Sequence, residues 1–482
     1  MPTPTALGAE PYDLVVVGTG FASSFFLHRY LQRAPASARV LVLERGRRWT
    51  LRAAVEDPLL YERLREGTYR NLTPEKRWIH TPAFGGGSNC WWGCTPRFLP
   101  NDFRLRSAYG VGDDWPLSYD DLEPYYEEAE EVMSISGPPE TPFPRRRPYP
   151  QPPHRLSDPD VALARRFPGQ FYPMPTARAR LATARRAPCC AVGTCSTCPM
   201  DSKFTVQNEL APLYEDPRVT LRLDALVRSV DLAAGVAQGV VWSDAARPGE
   251  LQRARGERVV LGANALFNPY LLLRSGFTHP LLGRRLHDQV SGLVVVDLDG
   301  MDNFQGSTSL TGHGYMWYDG PHRAERAACL LETSNIPTLR LEAGRWRQRV
   351  HLRLIYEDLP LPENGVEVDP AFPERPTTRF LRRSEYALRG LEMGWQKLPE
   401  LLSALPVERV VSTSVRRSET HILGTTVMGN DPATSVIDRD LVHHQVRNLY
   451  VLGAGAFPTG SPANPTLTLS ALALRAAERM GP

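Results

Sequence analysis

The chain is poor in lysine and has no long apolar run. Of its 56 lysine and arginine residues only three are lysines, Lys76, Lys203 and Lys397, and we interpret this bias as genomic composition. The formal net charge is +3, which gives no electrostatic case for binding nucleic acid or an anionic membrane surface. No apolar run approaches the roughly 20 residues that a membrane-spanning helix needs.

The sequence also shows no pattern typical of a secretory leader or of a disulfide framework. Residues 1–10 lack a charged segment followed by an apolar stretch, so nothing marks secretion, and we expect a cytoplasmic protein. Four of the seven cysteines are crowded between positions 189 and 198, which is not how disulfide frameworks are distributed. The 482 residues, 42% of them hydrophobic, suffice for a large core and two structural domains.

The N-terminal segment predicts a βαβ unit. Residues 12–18 form a short continuous apolar run, typical of a central parallel strand that is covered on both faces. A helix is expected from 20 to about 32, and a second strand over 39–43. The crossover between these strands should be right-handed.

The glycine turn between this strand and helix predicts a dinucleotide site. Gly18 permits the tight turn, Gly20 lets the backbone approach a pyrophosphate at the helix N-terminus, and Ser23 keeps the helix close to the sheet. Glu44, at the end of the second strand, can accept hydrogen bonds from ribose hydroxyls. The cofactor-binding residues predicted here are Gly18, Gly20, Phe21, Ala22, Ser23, Glu44 and Arg45. The motif alone does not separate NAD from FAD.

The rest of the chain indicates that the nucleotide domain is discontinuous. Further strands are expected at 219–223, 237–242, 259–261 and 448–452, an acidic helix at 122–132, an irregular excursion at 138–153 and a last helix at 466–480. Alternating segments between 286 and 406 predict an antiparallel sheet. The predicted fold class is α/β (α+β overall), with a Rossmann-like domain of residues 1–105, 205–285 and 407–482, a cap of 106–204 and a substrate-binding domain of 286–406.

A second glycine cluster points to a flavin. The run Gly85–Gly93 lets the backbone pass close to a flat, bulky group. Both glycine motifs are followed along the chain by the segments 261–269, 283–288 and 357–360 and by the C-terminal block that contains His421 and Asn464. With these elements in this order, the chain resembles the glucose-methanol-choline (GMC) FAD-dependent oxidoreductases. The resemblance covers essentially the whole chain and includes features of the pyranose oxidase branch.

The resemblance implies bound FAD, with Gly86, Gly87, Ser88 and Asn89 against the flavin. Cys90 takes the position where some members carry a histidine bonded covalently to the flavin, so we expect non-covalent FAD; a covalent link through the Cys90 thiolate is the alternative. Gly453 departs from the family form, which has an acidic residue there. The other cofactor-binding residues that the resemblance implies are Val227, Gly453, Ala454, Pro465 and Thr466.

Two residues near the C-terminus match the catalytic positions of the family. His421 matches the catalytic histidine, and Asn464 matches its histidine-or-asparagine partner. A neutral imidazole with a pKa near working pH suits removal of a hydroxyl proton, while the flavin takes the hydride. In this interpretation His421 is the base and Asn464 orients the substrate oxygen.

The cysteine cluster has several interpretations. Cys189, Cys190, Cys195 and Cys198 can hold zinc, an iron–sulfur cluster or a disulfide, or they can be buried or redox-labile thiols. The segment is similar to one in bacterial FAD-dependent glucose dehydrogenases that holds a three-iron cluster, although the gap before the last cysteine is shorter here. With a cluster, electrons would leave to a protein or quinone.

The sequence therefore predicts an FAD enzyme that oxidises a small-molecule alcohol, sugar or glycoside and passes electrons to an external acceptor. An oxidase that uses O2 is one alternative. A non-redox, lyase-type relative that retains FAD is another, and a non-catalytic FAD-binding subunit is a third. An NAD-dependent dehydrogenase is disfavoured by the second glycine cluster.

Overall fold

Two large β-sheets organise the chain, for which a computed structural model describes residues 5–6, 10–336, 338 and 340–481. In the first sheet, Tyr12–Val17 lies between two parallel neighbours, Val40–Leu43 and Leu251–Leu261. The strands along its main path are, in spatial order, Val219–Arg222, Val40–Leu43, Tyr12–Val17, Leu251–Leu261, Val236–Asp244 and Ala225–Ala233. Thr5–Ala6 and Leu449–Val451 also pair with Leu251–Leu261 in parallel.

The predicted βαβ unit is confirmed. Residues 14–17 of its first strand are buried, as a central strand of a covered parallel sheet requires. The connecting helix, Phe21–Arg33, packs against the C-terminal helix Thr466–Arg479, which also contacts the acidic helix Tyr119–Met133. All three helices were expected within a few residues of these bounds.

One long strand joins a parallel and an antiparallel part of the first sheet. The N-terminal half of Leu251–Leu261 pairs antiparallel with Val236–Asp244. Its C-terminal half, from Gly256, pairs parallel with Tyr12–Val17. The last residue of this strand, Leu261, pairs with Val17, the last residue of Tyr12–Val17. Gly262 therefore lies next to Gly18, in the predicted nucleotide turn.

The second sheet is antiparallel, as the alternating pattern predicts. Its strands are, in spatial order, Val407–Arg416, Val290–Leu298, Arg349–Tyr356, Cys329–Ser334, Leu310–Trp317 and Phe171–Pro173. Alternate residues such as Leu352 and Leu354 form a core with the helix Glu385–Leu402, so the intervening residues face the other way. Its first and last strands lie outside residues 286–406, so this sheet extends beyond the predicted limits of the substrate-binding domain.

A small third sheet and several short helices complete the fold. The third sheet holds Gly365–Glu367, Thr377–Arg379 and Arg70–Asn71. The remaining α-helices are Leu51–Glu56, Leu60–Arg65, Leu105–Tyr109, Asp158–Arg166 and Asn264–Arg274. Residues 138–153, all of them described, contain no helix or strand. Within the described ranges, no helix has the length and apolar character that crossing a bilayer requires.

The helix Glu385–Leu402 lies close to the second sheet because the helix carries glycines, Gly390 and Gly394, on the side that contacts the sheet. A Cβ atom on Gly394 would lie 1.7 Å from the hydroxyl oxygen of buried Tyr356. We expect Gly394→Ala to lower the free energy of unfolding, because overpacking costs about 1–3 kcal/mol and outweighs a helix-propensity gain of at most about 1 kcal/mol. Thermal unfolding followed by circular dichroism measures the effect.

Gln396→Ala, on the exposed face of the same helix, is the matched control and should leave the midpoint nearly unchanged. An equal or higher midpoint for Gly394→Ala would show that the helix does not pack this closely.

Candidate active site

One cavity of about 610 Å³ lies between the two sheets. This volume is within the range of roughly 300–1,000 Å³ found for small-molecule and cofactor sites. On one side its walls follow the carboxyl ends of the parallel strands, at Gly18, Glu44 and Gly262. This is where open α/β sheets bind ligands. On the other side the antiparallel sheet contributes Glu332 and Arg353.

The first glycine turn has the geometry that a bound anion requires. Gly18 has a φ of +92°, and a Cβ atom there would lie 2.9 Å from the carbonyl oxygen of Gly262. A Cβ atom on Gly20 would meet no described atom within 4 Å, so its backbone is open to the cavity at the start of a helix. Ser23 lies behind the turn, and a Cβ atom on Gly262 would lie 1.9 Å from the Ser23 hydroxyl oxygen.

Glu44 is held by the turn itself. Its carboxylate accepts hydrogen bonds from the backbone and hydroxyl of Thr19, at 3.0 and 2.8 Å, and from the backbone of Gly46 at 2.9 Å. Burial raises the pKa of Glu44, and these hydrogen bonds oppose the rise. Thr19, which is not among the predicted cofactor-binding residues, also accepts a hydrogen bond from the backbone of Gly85 at 2.9 Å. It therefore connects the two glycine loops.

The second glycine loop touches the first. Gly86 has a φ of +52°, and a Cβ atom there would lie 2.9 Å from the Cα of Gly20. Gly86, Gly87 and Cys90 line the cavity. The thiol of Cys90 lies 2.9 Å from the Thr81 hydroxyl. The close approach of the Gly86 backbone to the Gly20 backbone explains why the loop needs glycine at position 86.

Ser88 and Asn89 do not line the cavity, although the family resemblance implies that they contact the flavin. The Ser88 hydroxyl donates to the carbonyl of Gly85 at 2.7 Å and accepts from the backbone of Val206 at 3.0 Å. The Asn89 amide donates to the carbonyl of Phe84 at 2.9 Å, and its oxygen accepts from Gln207 at 2.9 Å. Their side chains hold the loop in place from behind.

Lys203 fastens the cap segment to this loop. Its ammonium group donates to the carbonyls of Asn89, Trp91 and Ser196, at 3.2, 2.8 and 2.8 Å. Burial lowers the pKa of Lys203 to about 8. An ammonium group with three N–H donors suits three converging carbonyls, and no motif in the sequence indicates this role for Lys203.

The other predicted cofactor residues lie around the same cavity, and so do both predicted catalytic residues. Its lining includes Phe21, Ala22, Arg45, Val227, Gly453, Ala454, Pro465 and Thr466, together with His421 and Asn464. The Oδ1 atom of Asn464 is buried and has no hydrogen-bond partner within the part of the chain that the structure describes. A buried amide oxygen without a partner is costly, so this atom points to a ligand.

The backbone of His421 is anchored by a buried carboxylate. Its N–H donates to Asp288 at 3.2 Å, and Asp288 also accepts from the Ser418 hydroxyl at 2.8 Å and pairs with the ammonium group of Lys76. Burial lowers the pKa of His421 below its ordinary value of 6.5; Asp288 opposes this shift and Lys76 adds to it. The imidazole is therefore neutral near pH 7.

Gln289 determines which nitrogen of His421 is free. The amide nitrogen of buried Gln289 donates to the carbonyls of Ser461 and Ala463, at 2.7 and 3.0 Å. Since carbonyls only accept, the amide cannot be flipped, and its oxygen must face Nδ1 of His421, with which it is hydrogen-bonded. Nδ1 then carries the proton, and Nε2 is left as an acceptor. Gln289 directly precedes the strand Val290–Leu298, and no motif in the sequence indicates its role.

The four clustered cysteines do not come together as metal ligands. All seven cysteines of the chain, each of them described, are unpaired. Cys190 is exposed, while Cys195 is buried and its thiol contacts the Ser309 hydroxyl. Among the described residues no group of three or more His, Cys, Asp or Glu side chains is placed to hold a metal ion. This arrangement gives the iron–sulfur and zinc interpretations no support.

Two parts of the chain match protein-family models, and both contribute residues to this site. Residues 176–291 and 374–473 match the N-terminal and C-terminal family models described as GMC oxidoreductase. The first range contains Val227, Asp288 and Gln289, and the second contains His421, Gly453 and Asn464.

Individual relatives are similar over nearly their whole length. The chain is 26% identical to the fructose dehydrogenase large subunit of Gluconobacter japonicus, with 97% of each chain covered. It is 28% identical to paromamine 6'-oxidase of Streptomyces fradiae, over 97% of this chain and 91% of the relative. Among solved structures, pyridoxine 4-oxidase from Mesorbium loti superposes with a TM-score of 0.67 at 18% identity, covering 97% and 99% of the two chains. The last likeness shows the fold.

We expect Gln289→Leu to abolish the tautomer preference of His421, because the acceptor at Nδ1 is lost while the side-chain volume is nearly kept. Nitrogen NMR of protein labelled in its histidines, with His421→Ala to assign the signal, measures which ring nitrogen carries the proton.

Gln289→Glu keeps an acceptor at this position and should keep Nδ1 protonated. If the His421 signal of Gln289→Leu equals that of the unaltered protein, Gln289 does not set the tautomer.

Proposed function

The chain belongs to the GMC oxidoreductase family, and on this premise we propose that it uses FAD to oxidise a CH–OH group of an alcohol, sugar or glycoside. The observation that carries the proposal is the meeting of His421, Asn464 and both glycine loops in one cavity. Relatives named as a fructose dehydrogenase large subunit and a paromamine 6'-oxidase support the substrate range.

The residues present fit FAD. Gly20 and Gly87 carry no Cβ atom, and one placed at either would meet no described atom within 4 Å, so their backbones leave room for a pyrophosphate and a flat ring. Glu44 is buried at the end of its strand, where a carboxylate suits ribose hydroxyls. When bound, FAD supplies the acceptor for the hydride that leaves the substrate carbon.

Side chains of the protein accept the proton that leaves the substrate hydroxyl group. Nε2 of His421 accepts the hydroxyl proton of the substrate, since Gln289 keeps the proton of the neutral ring on Nδ1. As the ring becomes a cation it is stabilised by the nearby carboxylate of Asp288. Asn464 lines the same cavity and holds the substrate oxygen in position by donating a hydrogen bond from its amide nitrogen.

The proposed function has two forms, a dehydrogenase and an oxidase, which differ in the electron acceptor. We propose a dehydrogenase that passes electrons to a protein or quinone, as the relative named as a dehydrogenase subunit suggests. The relative named as an oxidase keeps the use of O2 as the alternative. Reoxidation of the reduced protein by air and by a soluble quinone, measured side by side, distinguishes the two.

The anaerobically purified protein should show flavin absorption that bleaches when a substrate from a panel of sugars and alcohols is added. His421→Ala should retain FAD and lose the rate of flavin reduction by at least roughly a hundredfold, the low end for a lost general base. Stopped-flow absorbance measures the rate.

His279→Ala, which alters a histidine outside the cavity, should reduce the flavin at the unaltered rate. A flavin that no panel member bleaches would favour the non-redox alternative, and unchanged reduction in His421→Ala would remove His421 from the mechanism.

The rate of flavin reduction should be constant near pH 7 and fall only below about pH 6.5. The base acts in its neutral form, and burial places the pKa of His421 below 6.5, so protonation removes activity only on the acidic side. The measurement is the reduction rate at saturating substrate as a function of pH.

Asp288→Asn should move this decline to still lower pH, because the Asp288 charge raises the pKa of His421. A midpoint above pH 6.5, or a shift to higher pH in this variant, would contradict the assignment of the titrating group.

A further inference from the structure

The cavity wall that the second sheet supplies carries charged side chains that the proton-transfer mechanism does not use. We propose that Glu332, Arg353 and Glu419 form a subsite for the hydroxyl groups of a neutral, polyhydroxylated substrate, such as a sugar ring or sugar alcohol, at a distance from the carbon being oxidised. This inference rests on the proposed function and names the substrate class for the same cavity.

The register of the second sheet places the first two groups side by side. Glu332 and Arg353 are directly paired across neighbouring antiparallel strands, and His313 pairs with Glu332 on the other side. Directly paired residues present their side chains on the same face. Leu352 and Leu354, which flank Arg353, pack in the core with the helix Glu385–Leu402, so Arg353 points to the opposite face. That face is the cavity wall, which Glu332 and Arg353 both line.

Arg353 is held by its two carboxylate neighbours through one nitrogen only. Its Nη1 atom lies 3.3 Å from an oxygen of Glu332 and 3.3 Å from an oxygen of Glu419. Within the described part of the chain, Nη2 and Nε of Arg353 have no hydrogen-bond partner. A guanidinium group carries five N–H donors in a fixed plane, so three of them remain for a ligand.

The carboxylates supply matching acceptors. Glu419 accepts a hydrogen bond from the Ser291 hydroxyl, which fixes its orientation and leaves lone pairs on both oxygens. Burial alone would raise the pKa of Glu332, but the His313 ring and the Arg353 charge outweigh it and lower that pKa to about 2. Glu332 is therefore an acceptor at any working pH. Adjacent donors and acceptors are what vicinal hydroxyl groups require, since each hydroxyl both donates and accepts.

The charge balance favours a neutral ligand. Glu332, Glu419, Arg353 and Arg416 all line the cavity, and their formal charges sum to zero. An anion would meet two carboxylates, and a cation would meet two guanidinium groups. An apolar group would displace water from charged atoms without replacing its hydrogen bonds, which costs free energy.

This subsite is close enough to His421 to serve the same ligand. Glu332, Arg353 and Glu419 line the same cavity as His421 and Asn464, and Glu419 lies two residues before His421 in the chain. A single substrate can therefore place one carbinol group at His421 and Asn464 while its other hydroxyls contact the sheet.

The test compares Arg353→Met and Glu419→Gln with Arg349→Met. Arg349 lies on the same strand and is ion-paired with Asp297, outside the cavity lining, so it controls for the loss of an arginine from this sheet. Calorimetric binding is measured on the FAD-loaded protein with D-glucose, D-fructose, D-mannitol and methyl β-D-glucoside. Anaerobic flavin reduction is measured with the same probes and with 1-hexanol.

We expect at least one polyol to bind, and Arg353→Met to weaken that binding by at least about tenfold, the typical effect of losing a charge-assisted hydrogen bond. The preference for the polyol over 1-hexanol should fall by a similar factor. Glu419→Gln, which keeps the side-chain size, should shift both quantities in the same direction. Arg349→Met should leave the preference unchanged, and the FAD content of each variant reports whether it is folded.

The proposal is overturned if no polyol of the panel binds, or if the preference over 1-hexanol is the same in Arg353→Met and Arg349→Met. Binding that depends on Arg353 without any bleaching of the flavin would support the subsite and contradict the proposed oxidation. If polyols bleach the flavin equally well in the unaltered protein and in Arg353→Met, the result would support the oxidation and overturn the subsite.

Discussion

The side chain of Gln289 connects parts of the chain that are far apart in sequence, and the geometry of the site depends on it. Its nitrogen is hydrogen-bonded to the carbonyls of Ser461 and Ala463, in the segment that carries Asn464, and its oxygen faces His421. The preceding residue, Asp288, binds the backbone of His421. Two consecutive residues before one strand thus position both the ring and the main chain of the histidine.

The cofactor side of the cavity depends on the close approach of two backbones. Gly86 lies against Gly20, and Thr19 bonds both Glu44 and the second loop. Two of the three lysines are buried beside the site, Lys76 against Asp288 and Lys203 against three carbonyls. The scarcity of lysine, which we interpreted as genomic composition, therefore coexists with specific roles for two of the lysines that are present.

Much of the fold could be predicted because its signals are local. The apolar run of Tyr12–Val17, the glycine turn and the helix after it are short-range patterns, and the structure has all three. The alternating segments between 286 and 406, of which residues 350–356 are one, predicted an antiparallel sheet with one covered face. In the strand Arg349–Tyr356 this face packs against the helix Glu385–Leu402. The limits of the second sheet were harder to predict, because its edge strand Val407–Arg416 is defined by pairing with a strand more than a hundred residues earlier.

The sequence by itself determined the nucleotide turn, the glycines at positions 18, 20 and 86, and the residue types at 421 and 464, because each is a local requirement of backbone space or side-chain chemistry. Only the tertiary structure decided which of these groups meet. It turned Ser88 and Asn89 away from the cavity, left the clustered cysteines without a metal-ligand arrangement, and brought Gln289 to His421. Hydrogen-bond direction and burial depend on contacts between distant segments, and these contacts exist only once the sheets have packed together.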